Sequence, residues 1–133
     1  MKAVKARITK GLHIGSYVNV ADNSGAKLVK IVSIKGGKSK KGRQLSCGVA
    51  DLVKVSVRKG TPEMKKQVFW AVIVRQKKEY RRLTGERISF EDNAVVILKD
   101  SAGNPKGTAI KGPIAREAAE RWPFVARIAK MIV

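Results

Sequence analysis

Apolar and polar residues alternate with a period of two in several short segments, which is the pattern of half-buried β-strands rather than helices. Valine recurs at every second position of Ser16–Ala21 and Leu52–Arg58. Ala26–Ile34 slips out of phase once, as at a β-bulge or in a strand buried on both faces. Phe69–Val74 and Ala94–Leu98 are continuously apolar, which favours strands buried on both faces. Five short strands at this spacing predict a mainly β fold, a small five-stranded β-barrel.

The C-terminal segment 112–133 has the longer period of amphipathic helices. Gly112–Pro113 predicts the start of a helix, because proline suits a first helical turn. Its apolar face would carry residues four positions apart, namely Ile114, Ala118 and Trp122. Its opposite face would carry two ion pairs at the same spacing, Arg116–Glu120 and Glu117–Arg121. Pro123 ends or kinks this helix and begins a second short one, so two short C-terminal α-helices are predicted.

A chain of 133 residues forms one domain, because this length supports one hydrophobic core. We expect residues 16–111 to form the barrel and residues 112–133 to form the helical part. The stretch between the two most apolar strands is strongly basic and has a turn glycine, Gly85, near its centre. It predicts a β-ribbon that projects from the barrel over about residues 75–90.

The charge of the chain requires an anionic partner. Lysine and arginine number 29 against 10 acidic residues, which gives a formal net charge of +19. Such an excess opposes compaction unless a polyanion screens it. Because the cations are spread along the whole sequence, the pattern favours RNA wrapped around several faces of the protein over a single groove on duplex DNA.

Two segments concentrate this charge, and both are predicted to bind RNA. The loop Lys35–Arg43 contains three glycines and five cations, and its short side chains permit close approach to phosphates. It is not a nucleotide-binding loop, because that motif requires glycine at position 32, which is Val32 here. In the ribbon, Tyr80 either stacks on an unpaired base or lies exposed without a stacking partner. The predicted RNA-binding residues are Lys35, Lys38, Lys40, Lys41, Arg43, Arg75, Lys77, Lys78, Tyr80, Arg81, Arg82 and Arg87.

No motif for catalysis, metal binding or cofactor binding occurs in the sequence. His13 and Cys47 are single copies, and the neighbouring acids Glu91 and Asp92 have no histidine beside them. We therefore expect a protein that is not an enzyme and needs no cofactor or metal. A lone cysteine, an N-terminus without an apolar leader and the lack of a long apolar run predict a cytoplasmic protein without a membrane partner.

Four segments of the chain resemble the universal large-subunit ribosomal protein of the L-fourteen family, in that family's order and spacing. They are VADNSGAK at Val20–Lys27, AVIVRQKKEYRR at Ala71–Arg82, ISFEDNAVVIL at Ile88–Leu98 and GTAIKGPIAREAAERWP at Gly107–Pro123. The approach to the first segment and the ending ERWPFVARIAK are more similar to the archaeal and eukaryotic branch than to the bacterial one.

This resemblance implies a five-stranded barrel with a projecting ribbon and two C-terminal helices. It implies a structural constituent of the large ribosomal subunit that binds the rRNA of that subunit and contributes to an inter-subunit bridge with the small-subunit rRNA. It also implies contacts with neighbouring proteins, including the universal third protein of the large subunit, and docking of the anti-association initiation factor. We assign Lys106, Lys111, Arg116, Arg121 and Arg127 to this inter-subunit or protein-partner surface. The alternative is a free-standing barrel that binds RNA or single strands outside the ribosome.

Overall fold

The structure of the chain, a computed structural model, describes residues 3–37, 39 and 41–133. The strands of the described part are β1 (Ala6–Arg7), β2 (Leu12–His13), β3 (Tyr17–Val20), β4 (Ala26–Ile34), β5 (Ser46–Cys47), β6 (Leu52–Gly60), β7 (Val68–Arg75), β8 (Tyr80–Arg82), β9 (Arg87–Ile88), β10 (Ala94–Leu98), β11 (Ile110–Ile114) and β12 (Ala129–Ile132). Its helices are α1 (Arg116–Arg121) and α2 (Pro123–Ile128).

Five of these strands close into a barrel in the order β10, β3, β4, β6 and β7. All neighbours in the barrel are antiparallel except β10 and β3, whose parallel pairing closes it. The predicted five-stranded barrel and the two short C-terminal helices are therefore confirmed. The predicted loss of alternation in β4 is also real, since its register against β6 shifts between Leu28 and Val29 and between Ile31 and Ser33.

Two apolar clusters hold the fold together, one on each side of the barrel wall. Alternate strand residues such as Val29, Val55 and Ile73 fill the interior. Residues one position away, such as Val72 and Val96, point outwards into a second cluster that includes Trp122 and Val125 of the C-terminal part. The continuous apolar runs of β7 and β10 thus reflect burial on both faces, as the sequence predicted, because the helices cover their outer face.

The first predicted helix begins later than expected. The helix starts at Arg116, and the residues before it form strand β11, parallel to β12. Gly112 has φ +76, a left-handed conformation that does not fit a helical first turn. Pro113 is consequently a strand residue. Strand β12, which follows α2, has no counterpart in the sequence prediction.

The predicted Glu117–Arg121 ion pair on α1 is replaced by partners from other elements, and Arg116–Glu120 is not among the ion pairs of the described residues. Glu117 pairs with Arg82 rather than Arg121. Arg121 lies 3.9 Å from the carboxylate of Asp51. Glu117, which the sequence places on the charged face of α1, is therefore buried against the rest of the protein.

The predicted projecting ribbon is a short hairpin, β8–β9, that forms a three-stranded sheet with β1. It does not stand free, because Tyr80 and Arg82 point inwards and contact Glu117 of α1. Arg75, which the ribbon was predicted to include, is the last residue of barrel strand β7.

Candidate nucleic-acid interface

The basic segments converge at one end of the barrel because of its strand directions. Strands β4 and β7 both run towards this end, since each is antiparallel to β6. The loop 35–43 follows β4, and the hairpin β8–β9 follows β7. The N-terminal segment reaches the same end, because β3 begins where β4 finishes. We call this end, formed by residues 5–13, 35–37, 39, 41–43 and 76–88, the basic end.

Backbone pairing and one buried glutamine join these segments. Strand β2 pairs with β5, which connects the N-terminal segment to the chain that leaves the loop 35–43. The amide nitrogen of Gln76 donates to the carbonyl oxygens of Thr9 and Lys78 at 2.8 Å each. Its side-chain oxygen accepts a hydrogen bond from the backbone N–H of Val49 at 2.9 Å. Gln76 is fully buried, so these bonds fix the N-terminal segment against the start of the hairpin.

An arginine-lined groove of about 470 Å³ lies between the N-terminal segment and the hairpin. Arg7 of β1 is directly opposite Arg81 of β8 in the antiparallel register. Arg87 belongs to β9, the second strand of the hairpin, and also lines the groove. Like charges on neighbouring strands repel each other, so this arrangement is stabilised by an anion between them. A phosphate of a nucleic acid backbone fits this requirement.

Most of the predicted RNA-binding cations at this end are exposed. They are Lys35, Lys41, Arg43, Lys77, Lys78, Arg81 and Arg87. Arg87 forms an ion pair with Glu79 at 3.3 Å, but both side chains are more than half exposed, so a phosphate can compete for the arginine. Lys38 and Lys40 lie outside the described residues.

Three of the predicted RNA-binding residues are engaged in contacts within the protein. Tyr80 is fully buried and donates its hydroxyl hydrogen to Glu117 at 2.6 Å, so it neither stacks on a base nor lies exposed. Arg82 donates to Glu117 at 2.7 Å and to the backbone oxygen of Val133 at 2.6 Å. Arg75 binds Asp92 at 2.9 Å.

The buried carboxylate of Glu117 remains charged because of these partners. Burial acts to raise its pKa, but the hydrogen bonds from Arg82 and Tyr80 outweigh burial and hold the pKa below its usual range. Burial and the hydrogen bond to Glu117 raise the pKa of Tyr80 well above its usual value. Arg82 therefore serves as a structural cation that joins the hairpin to α1 and to the end of β12.

The residues assigned to a protein-partner surface are distributed over different places. Lys106 lies 5.3 Å from the ring of Phe69, at the start of β7 and so away from the basic end. Lys111 belongs to β11, and Arg116 and Arg127 are exposed on the two helices. Arg121 is largely covered, with its side chain 26% exposed beside Asp51.

Sequence reasoning missed the cations of the N-terminal segment. Lys5, Arg7 and Lys10 are exposed at the basic end. Val4 and Ile8, which alternate with Lys5 and Arg7, are half-buried against the outer apolar cluster. This alternation over residues 4–8 indicates a strand. The strand pairs over two residues, so its pattern is too short to distinguish it from a basic tail.

Other kinds of site find little support in the described part of the chain. No group of three or more metal-ligating side chains occurs among the residues that the structure describes. The thiol of Cys47 is buried, and burial raises its pKa to about 12, which makes it a poor nucleophile. Among the helices of the described residues, neither is long and apolar enough to cross a membrane.

The closed barrel and the net charge of +19 define the class of the molecule, a small basic β-barrel protein. The family model described as ribosomal protein L14p/L23e matches residues 11–133, and the chain belongs to this family. Its members are structural proteins of the ribosome, so the expectation that the chain is not an enzyme is confirmed.

Three full-length relatives illustrate the similarity, and each comes from an archaeon. A protein of Nanoarchaeum equitans named large ribosomal subunit protein uL14 is 59% identical over 133 residues, which covers 100% of both chains. Proteins of the same name from Methanothrix thermoacetophila and Halobacterium salinarum are each 53% identical, again over 100% of both chains. The predicted resemblance to the L-fourteen family and to its archaeal and eukaryotic branch is thus confirmed.

Proposed function

We propose that this chain, a structural constituent of the large ribosomal subunit in the cytoplasm, binds the rRNA of that subunit through its basic end. The observation that carries the proposal is the convergence of three basic segments at that end, held in place by β2–β5 pairing and by Gln76. Exposed cations on a rigid frame neutralise phosphates and release counterions, while the barrel determines where they point.

The glycine-rich loop and the arginine-lined groove contribute in different ways. Gly36 and Gly42 are exposed and have positive φ, so the chain turns at each of these two glycines, and their lack of a side chain permits close approach to an RNA backbone. The groove holds Arg7, Arg81 and Arg87, whose planar guanidinium groups suit phosphate oxygens. Recognition of shape and backbone, rather than of base edges, fits this chemistry.

The C-terminal part is the proposed protein-partner surface. Phe124, Met131 and Ile132 are between 40% and 57% exposed, which is unusual for apolar residues close together in the chain. Arg127 lies 5.1 Å from the ring of Phe124, and Arg116 is exposed on the preceding helix. This surface of apolar side chains with a cationic border supports docking of the universal third protein or the anti-association initiation factor, and the inter-subunit bridge to the small-subunit rRNA.

The proposal is tested by replacing exposed groove arginines and measuring the salt dependence of rRNA binding. For the double variant Arg81→Ala, Arg87→Ala we expect weaker binding and a log–log salt slope that is shallower by roughly 0.7–0.9 per lost phosphate contact. The matched control is Lys59→Ala, Lys65→Ala, which removes two exposed cations at the opposite end of β7. An unchanged slope in the groove variant would show that its arginines are solvated and would contradict the proposal.

Sedimentation of the protein from source cells distinguishes a ribosomal constituent from a free-standing module. Co-migration with the large subunit that survives high salt is expected for an integral constituent. Release at modest salt, or sedimentation at the top of the gradient, would favour a free-standing RNA-binding barrel instead.

A further inference from the structure

Three arginines form a row across the small sheet of β1, β8 and β9. In the antiparallel register Arg7 is directly opposite Arg81, and Arg81 is directly opposite Arg87. Directly opposed residues of antiparallel strands lie on the same face, with Cβ atoms roughly 4.5–5.5 Å apart. All three side chains are exposed and line the arginine-lined groove. We call Arg7, Arg81 and Arg87 the arginine row.

The sheet that carries the arginine row cannot maintain it unaided. Strand β1 pairs with β8 over two residues, and β8 pairs with β9 over two residues. Ladders this short are marginally stable without packing on one face, and like charges directly opposite each other destabilise them further. The ion pair between Arg87 and Glu79 is exposed and offsets little of this repulsion. Other contacts must therefore hold the row in place.

One buried carboxylate, that of Glu117, holds the middle strand from its inner side. Tyr80 and Arg82 flank Arg81 in the chain and point to the opposite face of the strand. The hydroxyl of Tyr80 donates to Oε2 of Glu117 at 2.6 Å, and Nε of Arg82 donates to Oε1 at 2.7 Å. Glu117 thus fixes the chain on both sides of Arg81. Because Arg82 is directly opposite Ala6, the same contact also holds β1.

The side chain of Glu117 is directed at this strand. Among the described residues, every side-chain hydrogen bond of Glu117 comes from β8. The residue is 5% exposed and lies in the first turn of α1, where Ala118 and Ala119 are also buried. The backbone N–H of Arg116 donates to the backbone oxygen of Val133 at 2.9 Å, which joins the start of α1 to the chain that follows β12. The carboxylate is therefore carried by an element that is itself held in place.

We propose that Glu117 is a positioning residue for phosphate binding by the arginine row. Its carboxylate does not touch RNA; it fixes β8, and through β8 it holds the three guanidinium groups on one face of the sheet. Groups that are fixed before binding lose less conformational entropy when they bind an RNA backbone. This inference rests on the proposed function, because it assigns a supporting residue to the groove that the proposed function uses.

The charge of Glu117 separates this role from simple electrostatics. Glu117→Gln removes a negative charge and so adds one unit to the formal net charge of +19. By Coulomb attraction alone, the variant should bind RNA more tightly than the native chain. If the carboxylate positions the arginine row, the variant should bind RNA more weakly, although all three arginines are present. Glu120→Gln is the matched control, because it removes the same charge from an exposed residue of the same helix.

The experiment measures binding of the full chain to a fluorescein-labelled RNA stem-loop at one salt concentration. For Glu117→Gln we expect affinity to fall about 2-fold to 12-fold for each arginine that has to be ordered on binding. Glu120→Gln should bind at least as tightly as the native chain. A role in stability alone would lower the unfolding midpoint without changing the affinity of the folded chain. Binding is therefore measured at a temperature below the unfolding transition of every variant.

A comparison in a second background shows whether Glu117 acts through the groove. In a chain that already carries Arg81→Ala, Arg87→Ala, the further change Glu117→Gln should leave RNA affinity unchanged within about twofold, because two of the three arginines are absent. Tyr80→Phe removes one hydrogen bond to Glu117 without a change of charge. It should weaken binding by less than Glu117→Gln does, and only when the groove arginines are present. It provides the test if Glu117→Gln does not fold.

The possible results separate this inference from the proposed function. If Glu117→Gln and Tyr80→Phe bind RNA as tightly as the native chain or more tightly, the inference is overturned. It is also overturned if either variant weakens binding equally with and without the groove arginines. The proposed function stands in both cases as long as Arg81→Ala, Arg87→Ala weakens binding. If that groove variant binds RNA like the native chain, the proposed function fails together with the inference.

Discussion

The two basic segments of the chain have similar composition but opposite environments. The loop 35–43 leaves the barrel after β4, and each of its described cations is exposed. The hairpin β8–β9 also leaves the barrel, after β7, but it lies against α1 and directs Tyr80 and Arg82 into the protein. The difference is the buried carboxylate of Glu117, for which the loop has no counterpart among the described contacts.

Neighbouring arginines of the hairpin show how fine this difference is. Arg81 is exposed and lines the groove, whereas Arg82 is buried and holds Glu117 and the backbone oxygen of Val133. Successive residues of a strand point to opposite faces, so one position separates an exposed arginine from a buried, structural one. The density of positive charge along the sequence therefore indicates where the candidate interface lies. Strand alternation and the buried carboxylate of Glu117 determine which of its cations are exposed.

The largest effect is expected when the buried pair is broken. Arg82→Ala leaves the charge of Glu117 buried without its cation, which should lower the free energy of unfolding by about 3–5 kcal/mol. Arg81→Ala is the matched control and should change it by less than about 0.5 kcal/mol. Urea titrations of both variants measure the difference. Equal stability of the two variants would show that Arg82 is as solvated as its neighbour.

A smaller effect is expected from pH. Because partners lower the pKa of Glu117 below its ordinary 4.5, its contribution to stability is present above pH 4.5 and is lost as pH falls through the folded-state pKa. The stability gap between the native chain and Glu117→Gln should therefore narrow below pH 4.5. Denaturant titrations between pH 6 and roughly pH 3 measure the gap.

The control for this pH series is Asp22, a second buried acid, whose pKa is shifted in the opposite direction from that of Glu117. Burial raises the pKa of Asp22 above its ordinary 3.8, and its hydrogen bonds, including one from the backbone N–H of Ile97 at 2.9 Å, offset burial only in part. A raised folded-state pKa means that stability falls as pH rises through it. The gap between the native chain and Asp22→Asn should consequently change with pH in the opposite direction. A gap for Glu117→Gln that is independent of pH would contradict the assignment.

The smallest effect on stability is expected in the loop. Lys41→Ala, Arg43→Ala should leave the free energy of unfolding within about 0.5 kcal/mol of the native value, because both side chains are exposed. The same variant should weaken rRNA binding, since its cations are free to meet phosphates. If the variant loses stability but binds rRNA as well as the native chain, the loop cations would be structural like Arg82, which would contradict the comparison between loop and hairpin.

The sequence predicts the barrel well because its signal is local. Valine at every second position identifies two strands, two fully apolar runs identify two more, and the slipped alternation of Ala26–Ile34 identifies the fifth; β4 and β10 have the predicted bounds. The strands that it does not predict pair with distant partners over a few residues, as β1 does with β8 and β12 with β11. Local propensity contains little information about such pairings, because tertiary contacts determine them.

The interface is predicted only in part, for the same physical reason. Whether Tyr80 faces a base or the core depends on Glu117, which lies 37 residues away. The start of α1 was misplaced because proline at position 113 fits a helical first turn, whereas the left-handed backbone of Gly112 directs the chain into a strand. These features depend on tertiary structure, which the local periodicity of the sequence does not predict.

The pairing of Ala6 with Arg82 has a consequence for the order of events during synthesis. The N-terminal wall of the arginine-lined groove leaves the ribosome long before the hairpin that forms its other wall. Domains fold from the N-terminus as the chain emerges, at about 5–20 residues per second. The groove therefore does not exist on the early nascent chain, and the barrel cannot close before β10 is made. The proposed phosphate contacts of the groove thus become possible only after the hairpin has left the ribosome.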